Sequence, residues 1–192
     1  GADFEWKGTA EVSEAGRSGL VVMKFGGTSM GSAARIQVAA GLAASERRKR
    51  PVVAVVSAMS KVTDLLLDTL RHAEGGDREG VEANIASLAT RHYQTCEELL
   101  PQTSQPPVRS GIDELVGEFR RIANGVLMLG ERPVRSVDEA VAIGERLSAL
   151  LMASYLQSQN VAAMAVNARE LIVTDAVFGN ATPLMGPTRE KA

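Results

Sequence analysis

Val21-Val22-Met23-Lys24-Phe25-Gly26-Gly27-Thr28-Ser29, followed at once by Met30-Gly31 and an alanine-rich helical pattern, decides how the 192-residue chain is read. A short apolar strand ends in a lysine and two adjacent glycines, and a helix follows. Glycines lack Cβ atoms, so backbone N–H groups there can come close to an anion. A helix N-terminus adds partial positive charge, and Lys24 adds a full one. A bare Gly-Gly after a strand is more often only a tight turn. The lysine, the Thr-Ser pair and the helix shift the balance toward an anion site at Lys24, Gly26 and Gly27. Neither a Walker A loop nor a G-x-G-x-x-G fingerprint is present. The combination suits a phosphate in transfer, where positioning and charge neutralisation carry the rate.

Working outward, the strand at residues 21–25 leads to a helix expected at 33–48, with apolar residues at Ile36, Val38, Ala39, Ala40, Leu42 and Ala43. The run Glu46-Arg47-Arg48-Lys49-Arg50 suits a solvated helix C-terminus, and Pro51 ends the element. Residues 52–56 form an almost unbroken β-branched run, expected as buried parallel strand. Strand, helix and strand at this spacing make a βαβ unit with a right-handed crossover. A polar loop at 57–64 opens into a helix expected at 65–74. Gly75-Gly76 ends it, and helices are expected at 79–100, 109–127 and 137–159, the first two separated by the Pro101 to Pro107 stretch. Residues 161–166 and 171–174 are expected as strands three and four. The fold class that follows is a three-layer α/β/α sandwich with a mainly parallel sheet.

Composition narrows the function. With 45% hydrophobic and 23% charged residues, the chain can build a core without staples. A net charge of −2 gives no electrostatic case for nucleic acid or an anionic membrane. Cys96 is the single cysteine, which excludes an intramolecular disulfide, and the only histidines, His72 and His92, lie far apart in sequence, so no metal centre is expected. Cys96 sits beside Glu97 and Glu98, a setting that disfavours a thiolate nucleophile. No apolar run approaches the roughly 18 residues of a membrane span. Residues 1–20 carry Asp3, Glu5, Glu11 and Glu14 without an apolar stretch, so they are expected as a polar extension rather than a secretory signal. A reducing cytoplasm fits, and there the Asn180-Ala181-Thr182 sequon is idle. Glu131-Arg132, Asp138-Glu139 and Asp175 support no assignment by spacing.

Lys24-Phe25-Gly26-Gly27-Thr28-Ser29 resembles the opening motif of the aspartokinases, within the amino acid kinase superfamily. Three further segments resemble that family in order: residues 55–66, spanning Ser57-Ala58-Met59-Ser60-Lys61-Val62-Thr63-Asp64; Ile143-Gly144-Glu145-Arg146-Leu147-Ser148-Ala149; and residues 171–181. The resemblance implies phosphorylation of the side-chain carboxylate of L-aspartate by Mg-ATP, giving 4-phospho-L-aspartate and ADP, the first step of lysine, threonine and methionine biosynthesis. The acceptor carboxylate is ionised at neutral pH, so no strong base is needed. By this resemblance Lys24 is catalytic, and it binds the ATP phosphates together with Phe25, Gly26, Gly27 and Ser29. Glu145 binds the α-ammonium group of aspartate, and Ser57 and Thr63 belong to the substrate loop.

The local alternatives are that Lys24 is a solvated strand-end lysine, that Glu145 pairs with Arg146, and that Ser57 and Thr63 cap the following helix. Lys61 is expected to be solvated. Family members continue into a second half with most contacts to nucleotide and metal, and then into ACT regulatory domains. Residues 21–192 are therefore expected to be the aspartate-side part of a kinase domain, inactive by itself. In the full-length protein the helical block offers surfaces for a homo-oligomer. A related kinase with another acceptor, or a non-catalytic assembly fragment, is the alternative.

Overall fold

The computed structural model describes residues 12–14, 19–174 and 181–191, with side chains from residue 19 onward. A three-stranded sheet carries the site: β1 (Val12–Glu14), β2 (Val21–Phe25) and β3 (Val52–Val56) in that order. β1 runs antiparallel to β2, and β2 runs parallel to β3 with Lys24 beside Val55 and Phe25 beside Val56. β2 alternates as a strand with one covered face should: Val21, Met23 and Phe25 are buried, whereas Lys24 is exposed.

Among the described residues seven α-helices follow or interleave. Helix α1 (Ala33–Arg47) joins β2 to β3, and the Ser32 side chain caps it by accepting from the Arg35 N–H at 3.4 Å. A block of four comes next: α2 (Val62–Glu74), α3 (Arg78–Leu99), α4 (Gln105–Leu129) and α5 (Val134–Ser158). Two short helices, α6 (Ala168–Leu171) and α7 (Met185–Lys191), lie beyond. One continuous core joins the sheet to the block, with Phe25 and Met30 packed among Ile36, Leu66, Leu70, Ile85, Ile112, Phe119 and Leu147. The α/β class and the parallel pairing of the first two predicted strands are as expected. The cationic end of α1 is solvated, where Glu46 pairs with Lys49 at 3.3 Å and with Arg50 at 2.7 Å.

Four expectations need correction. Residues 161–166 form no strand, and two of their backbone groups, at Val161 and Ala163, are engaged with the end of α5 instead. The Val161 N–H bonds to the Leu156 carbonyl at 3.0 Å, and Gln157 donates to the Ala163 carbonyl at 2.7 Å. Residues 171–174 are not a strand either: Leu171 ends α6, and Thr174 makes an isolated antiparallel bridge to Pro183. β3 is parallel but not buried, since among the described residues it pairs only with β2, and Val53 and Val55 remain 46% and 47% exposed. Finally, α4 starts at Gln105 rather than 109, because Pro106 and Pro107 occupy its first turn, where no N–H is needed.

Candidate functional site

The strand end and the loop after β3 build the site together. After Phe25 the chain turns tightly: the Met30 N–H donates to the carbonyls of Gly26 at 3.1 Å and Gly27 at 3.3 Å, and the Gly31 N–H donates to the Thr28 carbonyl at 3.3 Å. The N–H groups of Gly27, Thr28 and Ser29 donate to no backbone carbonyl among the described residues. They remain available to an anion, and Lys24 stands exposed at the strand end without an ion pair among the described residues. Arg35 of α1 donates to the Thr28 carbonyl at 3.0 Å and so ties the turn to its helix.

The second loop is fastened onto the first. The Ser57 N–H donates to the Phe25 carbonyl at 2.9 Å, and the Ser60 hydroxyl donates to the Gly27 carbonyl at 3.0 Å. A Cβ on Gly27 would meet the Ala58 carbonyl at 3.3 Å, and one on Gly31 would meet the Ser60 hydroxyl oxygen at 2.9 Å. Both glycines are therefore needed for close approach of the loops. Lys61 then takes a left-handed backbone with φ 64°, a conformation uncommon outside glycine and often found at functional sites, and α2 begins at Val62.

Capping does not explain the hydroxyls of this loop. Thr63 lies inside α2, and Lys61 stands at the cap position without a side-chain capping bond. Across the gap, α5 comes close because Gly144 has no side chain: a Cβ there would meet Ala58 Cβ at 2.9 Å, Leu66 Cδ1 at 3.1 Å and Val62 Cγ1 at 3.2 Å. That contact sets Glu145 against the loop.

The result is one cleft of about 550 Å3, lined by Gly27, Thr28, Ser57, Lys61, Thr63 and Glu145, among others. The three expected substrate residues Ser57, Thr63 and Glu145 meet there with Gly27 of the expected phosphate turn, whereas Lys24, Phe25, Gly26 and Ser29 are not among its lining residues. The alternative that Glu145 pairs with Arg146 does not hold. Arg146 engages Glu118 of α4 with both guanidinium nitrogens, at 2.5 and 3.1 Å. Glu145 has no cation partner among the described residues, and partial burial raises its carboxyl above the usual carboxylate range. Glu118 moves the opposite way, held low by its hydrogen bonds to Arg146. Cys96 is buried, and burial pushes its thiol up, so it is no nucleophile.

A larger hollow of about 950 Å3 runs along β3 to residues 161–172. Its walls are mostly aliphatic, with Val53, Val55, Met164 and Leu171 among them, and it lacks the phosphate turn. Among the described residues no three His, Cys, Asp or Glu side chains gather to hold a metal, and no helix is long and apolar enough to cross a membrane. Asp175 and most of the fourth resembling segment lie outside the described residues, as does Asn180. Ser60, Gly31 and Gly144 escaped the sequence reading. An isolated glycine inside a helical pattern was the available signal for Gly144.

Comparison with known proteins places the chain in a family. Residues 19–188 match the model of the amino acid kinase family. Aspartokinase 1, chloroplastic, of Arabidopsis thaliana is 34% identical over 179 residues, 91% of this chain and 30% of that protein. The aspartokinase of Chlamydia muridarum is 31% identical over 163 residues, 85% of this chain and 33% of that protein. The solved structure of E. coli aspartokinase III in complex with aspartate and ADP superposes with a TM-score of 0.78 at 25% identity, covering 90% of this chain and 36% of that one. The chain thus spans about a third of the length of these relatives.

Proposed function

The chain belongs to the amino acid kinase family, and from that premise we propose that it is the acceptor-side part of an aspartate kinase, which transfers the γ-phosphoryl group of ATP to the side-chain carboxylate of L-aspartate. The observation that carries this reading is the unpaired Glu145 facing Ser57, Thr63 and the Gly27 turn across one cleft. A fixed anion without a protein partner suits a substrate ammonium group, whose pairing restores what burial cost the carboxylate. Hydroxyls of Ser57 and Thr63 suit the substrate carboxylates. Lys24 with the N–H groups of Gly27, Thr28 and Ser29 suits the phosphates, and Phe25 and Gly26 shape that turn.

The acceptor oxygen is already ionised, so the protein's task is to hold two anions together and neutralise the charge that builds between them. Magnesium would enter with the nucleotide, bound through its phosphates. The other nucleotide contacts belong to the longer protein, as the relatives' length suggests, so residues 1–192 by themselves turn over slowly or not at all. The product opens the route to lysine, threonine and methionine, and a reducing cytoplasm suits the free Cys96.

A coupled ADP-release assay with a panel of amino acids tests the reading. The full-length protein is expected to respond to aspartate above other acceptors, and the isolated chain to give little. Lys24→Ala in the full-length protein is expected to lower kcat about 100- to 1,000-fold, the usual loss for one transition-state donor, with the melting temperature unchanged. Aspartate-independent turnover, or near-normal kcat in that variant, refutes it.

A further inference from the structure

We infer that Glu118 is a positioning residue for the substrate ammonium site: it holds Arg146 away from Glu145 and so keeps that carboxylate open to the substrate. The inference rests on the reading of the cleft as an aspartate site.

Glu145 and Arg146 are neighbours on α5 with opposite charges, and both border the 950 Å3 hollow beside β3. Neighbours on a helix point in different directions, but both side chains reach this shared space, where a guanidinium without a partner would sit beside an unpaired carboxylate. Glu118 supplies that partner. Its two oxygens take both ends of the guanidinium fork, Nη1 at 2.5 Å and Nη2 at 3.1 Å, in the bidentate geometry that fixes direction as well as distance. The partner comes from α4, the helix packed along α5 in the best-buried part of the molecule. Arg146 is only 31% exposed and Glu118 36%, so the pair is more ordered than a free surface contact.

The consequence is a division of charge: Arg146 is neutralised on the α4 side, and Glu145 faces the cleft as a lone anion. Removing the Glu118 charge would leave a cation beside Glu145, competing with the substrate ammonium. Lys61 in the cleft and Arg47 on the hollow are the other cations on these walls. Arg121 also acts on Glu118.

The test is steady-state kinetics of the full-length protein with aspartate varied at saturating ATP. Glu118→Gln is expected to raise KM for aspartate on the order of tenfold, the scale of one added charge at this range, with kcat and KM for ATP within about twofold. Adding Arg146→Gln to that variant is expected to bring KM for aspartate back to within about threefold of the parent, because no freed cation remains. A purely structural pair would leave the double variant as impaired as the single one. An unchanged KM in Glu118→Gln, or no recovery in the double variant, overturns the inference. In parallel, carboxyl NMR of the 192-residue chain follows Glu145, whose titration should move to lower pH in Glu118→Gln; an unmoved titration also overturns it. Absence of aspartate turnover in the parent would instead sink the substrate reading, and the NMR comparison then decides the shielding by itself.

Discussion

Leu66, Leu70, Ile85, Leu88, Ile112 and Phe119 in the helical block have no exposed surface, whereas Val53 and Val55 in β3 keep nearly half of theirs. Both regions are written in strongly apolar sequence. The helices bury each other: α2 to α5 present their stripes to a common centre, so the block is complete with the residues it contains. A strand cannot do this, because its second edge and second face need neighbours from elsewhere in a sheet. β3 has β2 on one side and the aliphatic hollow on the other. The cleft lies on the seam between the two regions, with Glu145 contributed by the block and Gly27 and Ser57 by the loops that leave the sheet.

Paired substitutions give the largest test of that contrast. Leu66→Ala, which opens a cavity at the centre of the block, is expected to cost about 2–5 kcal/mol of unfolding free energy. Val55→Ala, on the open face, should cost about 0.5 kcal/mol or less. Chemical denaturation of both variants measures the difference, and equal losses would show that β3 is as well packed as the block.

Gly144→Ala probes the seam. Overpacking costs about 1–3 kcal/mol, and the better helix propensity of alanine returns about 1 kcal/mol. Overpacking wins, because Ala58 Cβ at 2.9 Å belongs to a loop held by backbone bonds and cannot swing aside. A net loss of about 1–2 kcal/mol is expected, together with a higher KM for aspartate as Glu145 is pushed outward. A stabilised variant with unchanged KM would mean that the close approach does not set the cleft.

The smallest effect concerns pH inside the block. His92 is fully buried: its Nδ1 donates to the Leu88 carbonyl at 2.7 Å, and its Nε2 has no partner among the described residues. Burial lowers its pKa below the usual imidazole value. The folded state therefore resists the proton that the unfolded chain accepts, so stability falls as pH drops below about 6.5. The slope is at most about 1.4 kcal/mol per pH unit. Melting temperatures between pH 7.5 and 5.5 should show it, and His92→Gln should flatten it; an unchanged slope in that variant would assign the effect to other groups.

The same contrast explains what the sequence disclosed. The block was legible, with boundaries misplaced by a few residues, because a 3.6-residue stripe carries its own partners. The misplaced start of α4 came from treating Pro106 and Pro107 as a break when a first turn accepts them. The turn after β2 was legible as a candidate anion site through local chemistry, two glycines and a lysine, whereas the loop that follows β3 stood out only by its resemblance to the aspartokinases. Residues 161–166 were not legible, because Val161, Met164 and Val166 have the composition of a strand, while the Val161 N–H and the Ala163 carbonyl bond to α5. The Glu118–Arg146 pair was also invisible, since residues 28 apart in sequence become neighbours only when α4 lies along α5. Arg146 looked like a partner for Glu145 for want of that knowledge.

The hydrogen bond from Ser60 to the Gly27 carbonyl has a kinetic meaning. It bolts the turn that would grip the donor to the loop that would grip the acceptor, and the two glycine contacts leave no slack between them. The spacing between donor and acceptor then becomes a property of the resting fold, not something each turnover must rebuild. Displacing either loop would have to break this bond or move both loops as one piece.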